Sequence, residues 1–244
     1  LSLALVGCTS NTADSKGSQQ PSSTQTEAPA GFEKYYGQGI DWGSCQAEDL
    51  VMPLLPAPKD LSDYQCATIQ APMDWDDPLS TPIELSLARH VGAKGESGPA
   101  LFYNLGGPGG GAVDSITSVV SGILTKQLVE YFQIVALDPR GVGGSSPITC
   151  MTDQERDEDI DTVIDTSNMS TGELVALADQ EMGDLGAKCL ERSGEVLGFV
   201  DTDSAARDFD LARALMGQEK FDYLGFSYGT VLGAQYAELF PENV

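Results

Sequence analysis

From residue 66 the apolar and polar positions fall into a strand, turn, strand pattern. ATIQAPM is followed by DWDDPLSTP, rich in Asp and Pro, and then by IELSLARHV, where apolar Ile83, Leu85 and Leu87 alternate with polar Glu84 and Ser86. A period of two, with turn residues between the runs, predicts an antiparallel hairpin. Next come the apolar run ALFYNL, a glycine-rich loop, a helix-like stretch from Val113 to Tyr131, and the apolar run QIVAL, which leads into Asp138. Strand, helix, strand at this spacing predicts a parallel crossover unit and an α/β fold. Ser170 followed by Glu173 forms a capping box and predicts a helix over Thr171 to Glu191. A further helix is predicted with Thr202 as N-cap, with Ala205, Phe209, Ala212 and Met216 on one face and Gly217 as its stop. FDYLGF then reads as a strand entering a turn at Ser227, with a helix through VLGAQYAELF after it. No internal repeat is visible.

The N-terminal stretch has a different character. LSLALVGC is a short apolar run ending at Cys8. It is too short to span a bilayer, which needs roughly 20 residues. It reads as the tail of a signal-peptide apolar region, with Cys8 at the position of a lipid-modified cysteine. Residues 9–35 begin with TSNTADSKGSQQPSSTQTEAPA, which has too few large apolar residues to offset the entropy of ordering, and read as a flexible tether. Residues 36–244 read as the folded domain. Within it, residues 151–199 form an insertion whose opening DQERDEDIDTVID carries seven acidic residues and Arg156, a composition that predicts a solvated surface loop. The start on Leu1 and the stop at Val244, just after a helix, lead us to expect a fragment at both ends.

Cysteine and charge sharpen this picture. Setting Cys8 aside leaves Cys45, Cys66, Cys150 and Cys189, an even number in a chain that reads as exported. Of the three possible pairings, proximity favours Cys45 with Cys66 and Cys150 with Cys189. No CxxC pair exists, which argues against a zinc ribbon or a thioredoxin-type redox site. The sequence has 13 Lys plus Arg against 37 Asp plus Glu, a net charge of −24, so nucleic acid is not an expected partner and a membrane is expected only through the lipid. The single histidine, His90, leaves little scope for a metal site, and no metal or cofactor is expected.

Three glycine-bearing turns carry the chemistry. GFSYG, Gly225 to Gly229, fits G-x-S-x-G with a predicted strand before it and a helix after it, the context in which Ser227 becomes an exposed nucleophile and the Tyr228 amide an oxyanion donor. NLGGPGGGA, Asn104 to Ala112, follows a strand, as does the loop that supplies the other oxyanion amide in a hydrolase. Gly107, Gly109 and Ala112, with Asp138 closing the next strand, also outline a dinucleotide site, which makes an oxidoreductase the distant alternative. Pro108 inside the loop and the expected export stand against it. DPRGVGGSSP, Asp138 to Pro147, reads as a loop after a buried strand, with Arg140 and Asp138 available to pair and brace it.

Together these segments resemble the proline iminopeptidase type of α/β-hydrolase, and most closely its secreted tripeptidyl aminopeptidase branch. YQCATIQAPMDWDDP resembles the branch's entry hairpin, NLGGPGGG its GGPGGSG loop, DPRGVGGSSPITC its D-x-RG-x-G-x-S turn, and GFSYGTVLGAQYAELFPENV its elbow and helix, across roughly residues 40 to 244. Leu105 and Gly111 depart from the Pro and Ser usual there. The resemblance implies a mostly parallel sheet with an N-terminal antiparallel hairpin, incomplete at the C-terminus. It also implies acyl transfer at Ser227 with the amides of Tyr228 and Gly107, or of Gly106 or Gly109, holding the oxyanion, and a peptide substrate with a free N-terminus. Relatives bind the substrate ammonium through cap-domain carboxylates, and the acidic run Asp153–Asp165 is a minor candidate for that role. The fold's chain order is Ser, acid, His. Nothing after Ser227 is a His and His90 lies upstream, so the acid and base are expected outside this chain. A non-catalytic peptide-binding surface lipoprotein and an esterase remain as alternatives.

Overall fold

The computed structural model describes residues 28–50 and 60–244, so Cys8 and most of the expected tether lie outside the described residues. The strands are β1 (Gly43–Ser44), β2 (Tyr64–Pro72), β3 (Pro82–His90), β4 (Ala100–Asn104), β5 (Gln133–Leu137) and β6 (Asp222–Gly225). They form one mixed sheet in the order β1-β2-β3-β5-β4-β6. The predicted hairpin is β2 with β3, in register from Tyr64 opposite His90 to Pro72 opposite Pro82. β4 runs parallel to β5 and to β6, while β1, β2 and β3 are joined by antiparallel pairings. The parallel part is therefore the three-strand core β5-β4-β6.

Every residue of ALFYN and QIVAL is buried, as expected of parallel strands covered on both faces. Side chains alternate between two cores. Phe102, Val135, Leu137, Leu85 and Leu87 face one, with Phe209, Phe221 and Tyr236; Leu101, Tyr103, Ile134 and Ala136 face the other, with Ile116 and Val119. The first core is closed by α6 (Thr202–Leu215) and α7 (Tyr228–Leu239), and by α1 (Glu33–Tyr36). Phe32 and Tyr35 are buried in it, so packed structure begins before residue 36, inside the segment expected to be tether. α6 buries Ala205, Phe209 and Ala212 as its period predicts, and Gly217 follows at φ +66°. Its N-cap is Asp201 rather than Thr202, because the Asp201 carboxylate accepts from the Ser204 amide at 2.8 Å.

Two other expectations change. The stretch from Val113 to Tyr131 is not one helix. It divides into α2 (Ile116–Ser118), a π-turn over Val119–Ile123, and α3 (Lys126–Tyr131). Leu124 is extended and the Thr125 side chain caps the Leu128 amide, which restarts the helix. The acidic run of the insertion is helical at its start: α4 (Asp153–Asp161) is held by a Thr152/Glu155 capping box, and Arg192 of α5 (Thr171–Ser193) binds Glu155 at 2.9 Å. The Ser170/Glu173 capping box is present as predicted. Cys45 is bonded to Cys66, and Cys150 to Cys189.

Candidate active site

β6 ends at Gly225 and α7 begins at Tyr228, so the chain turns from strand to helix across two residues. Ser227 sits in that turn at φ +50° and ψ −125°. Such a backbone costs a residue with a side chain about 1–3 kcal/mol and persists only where its surroundings impose it. Here the Phe226 amide donates to the Asn104 carbonyl at 3.0 Å, the Gly229 amide to the Phe226 carbonyl at 2.7 Å, and the Thr230 amide to the Ser227 carbonyl at 2.9 Å. The flanking glycines are sterically required: a Cβ on Gly225 would lie 2.5 Å from the Gly229 carbonyl oxygen, and one on Gly229 would run into the Asn104 carbonyl. Ser227 is exposed and its hydroxyl caps none of the α7 amides. The Tyr228 amide opens α7, where no intrahelical acceptor reaches it and the helix dipole is positive. The Tyr228 hydroxyl is anchored to Thr202 Oγ1 at 2.7 Å.

The glycine loop after β4 lies directly on this turn. A Cβ on Gly106 would fall 2.6 Å from the Phe226 carbonyl oxygen and 2.9 Å from the Tyr228 nitrogen. The Gly106 amide donates to Asn104 Oδ1 at 2.8 Å, which occupies it and leaves, of the three candidate donors, Gly107 and Gly109. A cavity of about 280 Å³ opens beside them, lined by Gly106, Gly109 and Tyr228 and walled by Ile148 and Val200 at the foot of the insertion. Asp201 also lines it, while the acidic run Asp153–Asp165 does not.

The third turn holds the loop from behind. Asp138 is buried, and its Oδ1 accepts from the Ala112 and Val113 amides at 2.7 and 2.9 Å while its Oδ2 accepts from the Gly144 amide at 2.9 Å. That carboxylate joins two loops and is not free for a ribose, so the dinucleotide reading of Gly107, Gly109, Ala112 and Asp138 does not fit. Nor does Asp138 pair with Arg140. Arg140 instead makes a bidentate pair with Asp208 of α6, both contacts at 2.7 Å, and donates to the carbonyls of Pro72, Met73 and Phe199. Trp75 Nε1 completes the group by donating to Asp208 at 3.0 Å. Asp114, half-buried near Asp138, has its carboxyl pushed up by burial and then by the Asp138 charge.

His90 is remote from all of this. It lies in one row of the sheet with Ile134, Leu101 and Asp222, three strands from β6 and at the strand end opposite Ser227. β6 is roughly 14 Å away across the sheet, and its end at Gly225, two residues before Ser227, is roughly 10 Å farther along it. Burial pushes its pKa down, and its ring meets Tyr64 edge-on at 5.0 Å. Among the described residues no cluster of His, Cys, Asp or Glu could hold a metal ion, and no helix is long and apolar enough to cross a membrane.

A strand, serine elbow and helix, with a glycine loop laid on the elbow, form an arrangement that can be compared with known proteins. The model of the alpha/beta hydrolase fold matches residues 99–244. The chain belongs to this family. This chain is 36% identical over 212 residues to the tripeptidyl aminopeptidase of Streptomyces coelicolor, a match covering 84% of this chain and 36% of the relative. It is 34% identical over 215 residues to the serine protease Hip1 of Mycobacterium tuberculosis, covering 87% and 39% respectively. With carboxylesterase B of the same organism it shares 35% identity over 175 residues, 70% of this chain and 32% of that one. The chain thus spans about a third of the length of the relatives it matches.

The structure brings together Ser227, Tyr228 and the 106–109 loop, and keeps His90 apart. Sequence reasoning missed Asn104, Asp208 and Asp201. An Asn at a strand end just before glycines was a usable signal, since its short side chain readily accepts from an amide two residues on. The Arg140–Asp208 pair, 68 residues apart, had no such local signal.

Proposed function

We propose that the whole protein is an exported serine hydrolase that acts by acyl transfer at Ser227, as an aminopeptidase releasing residues or short peptides from free N-termini. The observation that carries this reading is the positive-φ Ser227 at a strand-to-helix turn, with the glycine loop packed on it. In the proposed reaction a base takes the Ser227 hydroxyl proton as Oγ bonds to the substrate carbonyl carbon. The Tyr228 amide and the Gly107 or Gly109 amide donate to the oxyanion; the C–N bond then breaks, the amine leaves with the proton, and water hydrolyses the acyl-enzyme. The peptide substrate is suggested by the relatives named tripeptidyl aminopeptidase and serine protease. Export is supported by the two disulfides, with Cys8 as the proposed lipid attachment.

The triad acid and base are proposed to lie beyond these 244 residues, because the sole histidine stands at the wrong end of the sheet. Residues 1–244 should then show no appreciable turnover. A chain extended to include the base should label with a fluorophosphonate at Ser227 and cleave aminoacyl or tripeptidyl substrates, and Ser227→Ala should abolish both. Robust turnover by residues 1–244 that is lost in His90→Ala would overturn the proposal, and an extended chain that binds peptides without labelling would support a non-catalytic lipoprotein instead. The likeness to a carboxylesterase favours an esterase as second reading, and preference for ester over peptide substrates in the same panel would establish it.

A further inference from the structure

We infer that Asn104 is the positioning residue that holds the two oxyanion amides at a fixed separation, an inference that rests on the reading of Ser227 as nucleophile. Asn104 is the last residue of β4 and is only 1% exposed. It touches both turns of the site. Through its main chain, the carbonyl accepts from the Phe226 amide at 3.0 Å, one residue before Ser227. Through its side chain, Oδ1 accepts from the Gly106 amide at 2.8 Å, one residue before Gly107. Because an N–H can donate only to the oxygen, this bond also settles which side-chain atom is Oδ1.

The packing around Asn104 leaves no slack. A Cβ on Gly229 would collide with its carbonyl oxygen and come within 3.1 Å of its Oδ1, so the first turn of α7 rests on this residue. Asn104 is also in register with Gly225, the last residue of β6, and it lines the cavity beside Tyr228. One residue therefore fixes the elbow that presents the Tyr228 amide and the loop that carries the Gly107 and Gly109 amides. Donors held in place before reaction are worth far more to a developing oxyanion than donors that must reorganise. The chemistry also favours Asn over its isosteres. Leu would supply no acceptor, leaving Gly106 free to turn. Asp would supply one, but with a negative charge beside the place where negative charge must form.

The test has two arms. In residues 1–244, hydrogen exchange at the Gly106 amide should be about tenfold faster in Asn104→Ala than in the parent, the loss of one net hydrogen bond, while core amides such as Val135 keep their protection. Unchanged exchange at Gly106 would overturn the clamp whatever the protein catalyses. In the extended chain, Asn104→Ala should lower kcat about 10- to 100-fold with KM within about twofold, and weaken a peptidyl aldehyde that forms an oxyanion by the same factor. Asn104→Asp, which keeps the acceptor and the shape, should also be slow at neutral pH, and its activity relative to the parent should rise as pH falls through the carboxylate range. A loss confined to KM, or an Asn104→Asp ratio flat with pH, would refute the positioning role. Should the extended parent show no Ser227-dependent turnover, the proposed function fails, and the exchange experiment still decides the clamp.

Discussion

At the scale of single residues, the site is built from positions where one added atom does damage. A methyl group on Gly229 would enter the Asn104 carbonyl, so Gly229→Ala should destabilise the protein by about 1–3 kcal/mol in urea unfolding, through displacement of α7 from β4. Asp114 makes a different prediction. Its carboxyl is raised above the ordinary 3.8 by burial first and by Asp138 second, so the folded state binds its proton more tightly than the unfolded chain does. Stability from this group is then highest at acid pH and falls as pH rises through the raised value. Asp114→Asn should accordingly raise Tm at neutral pH, and the gain should disappear below about pH 4, near the unfolded carboxylate value. A gain independent of pH would assign the effect to packing.

At the scale of elements, what was legible from sequence was whatever depends on neighbours in the chain. The hairpin of β2 and β3, the capping box of α5, the buried face of α6 and the elbow before α7 each follow from a period or a short motif, and each stands where those patterns placed it. The divided stretch from Ile116 to Tyr131 was not legible, because its break depends on Leu124 extending and Thr125 capping rather than on any lapse in apolar spacing. The cap of α6 moved by one residue for a comparable reason, since Asp201 and Thr202 are both good caps and only the geometry selects between them. Asp201→Ala should cost about 1 kcal/mol in global stability, and Thr202→Val, which spares the cap but removes the Tyr228 hydroxyl partner, should cost less. The loop after β4 was legible as a glycine run, but which of its amides is taken was not, because that depends on Asn104 Oδ1 binding Gly106.

At the scale of the whole molecule, the Arg140–Asp208 pair joins parts of the chain that no local pattern connects. It ties the turn after β5 to α6, and through the carbonyls of Pro72 and Met73 it reaches the end of the hairpin. Removing one partner leaves a buried charge, so Arg140→Met or Asp208→Leu should each cost about 3–5 kcal/mol. The double change Arg140→Met, Asp208→Leu should cost less than the sum, which equilibrium unfolding of the four proteins measures directly. The Cys150–Cys189 bond acts over a similar range of sequence but on a different part. It closes the base of the insertion 39 residues apart, and Ile148 and Val200, just outside that base, wall the cavity. A protease that cuts the exposed link between Thr162 and Met169 would therefore produce a nicked molecule that migrates as one species until it is reduced. The two ends of the cut would stay tethered, and the cleft wall they support would survive the injury.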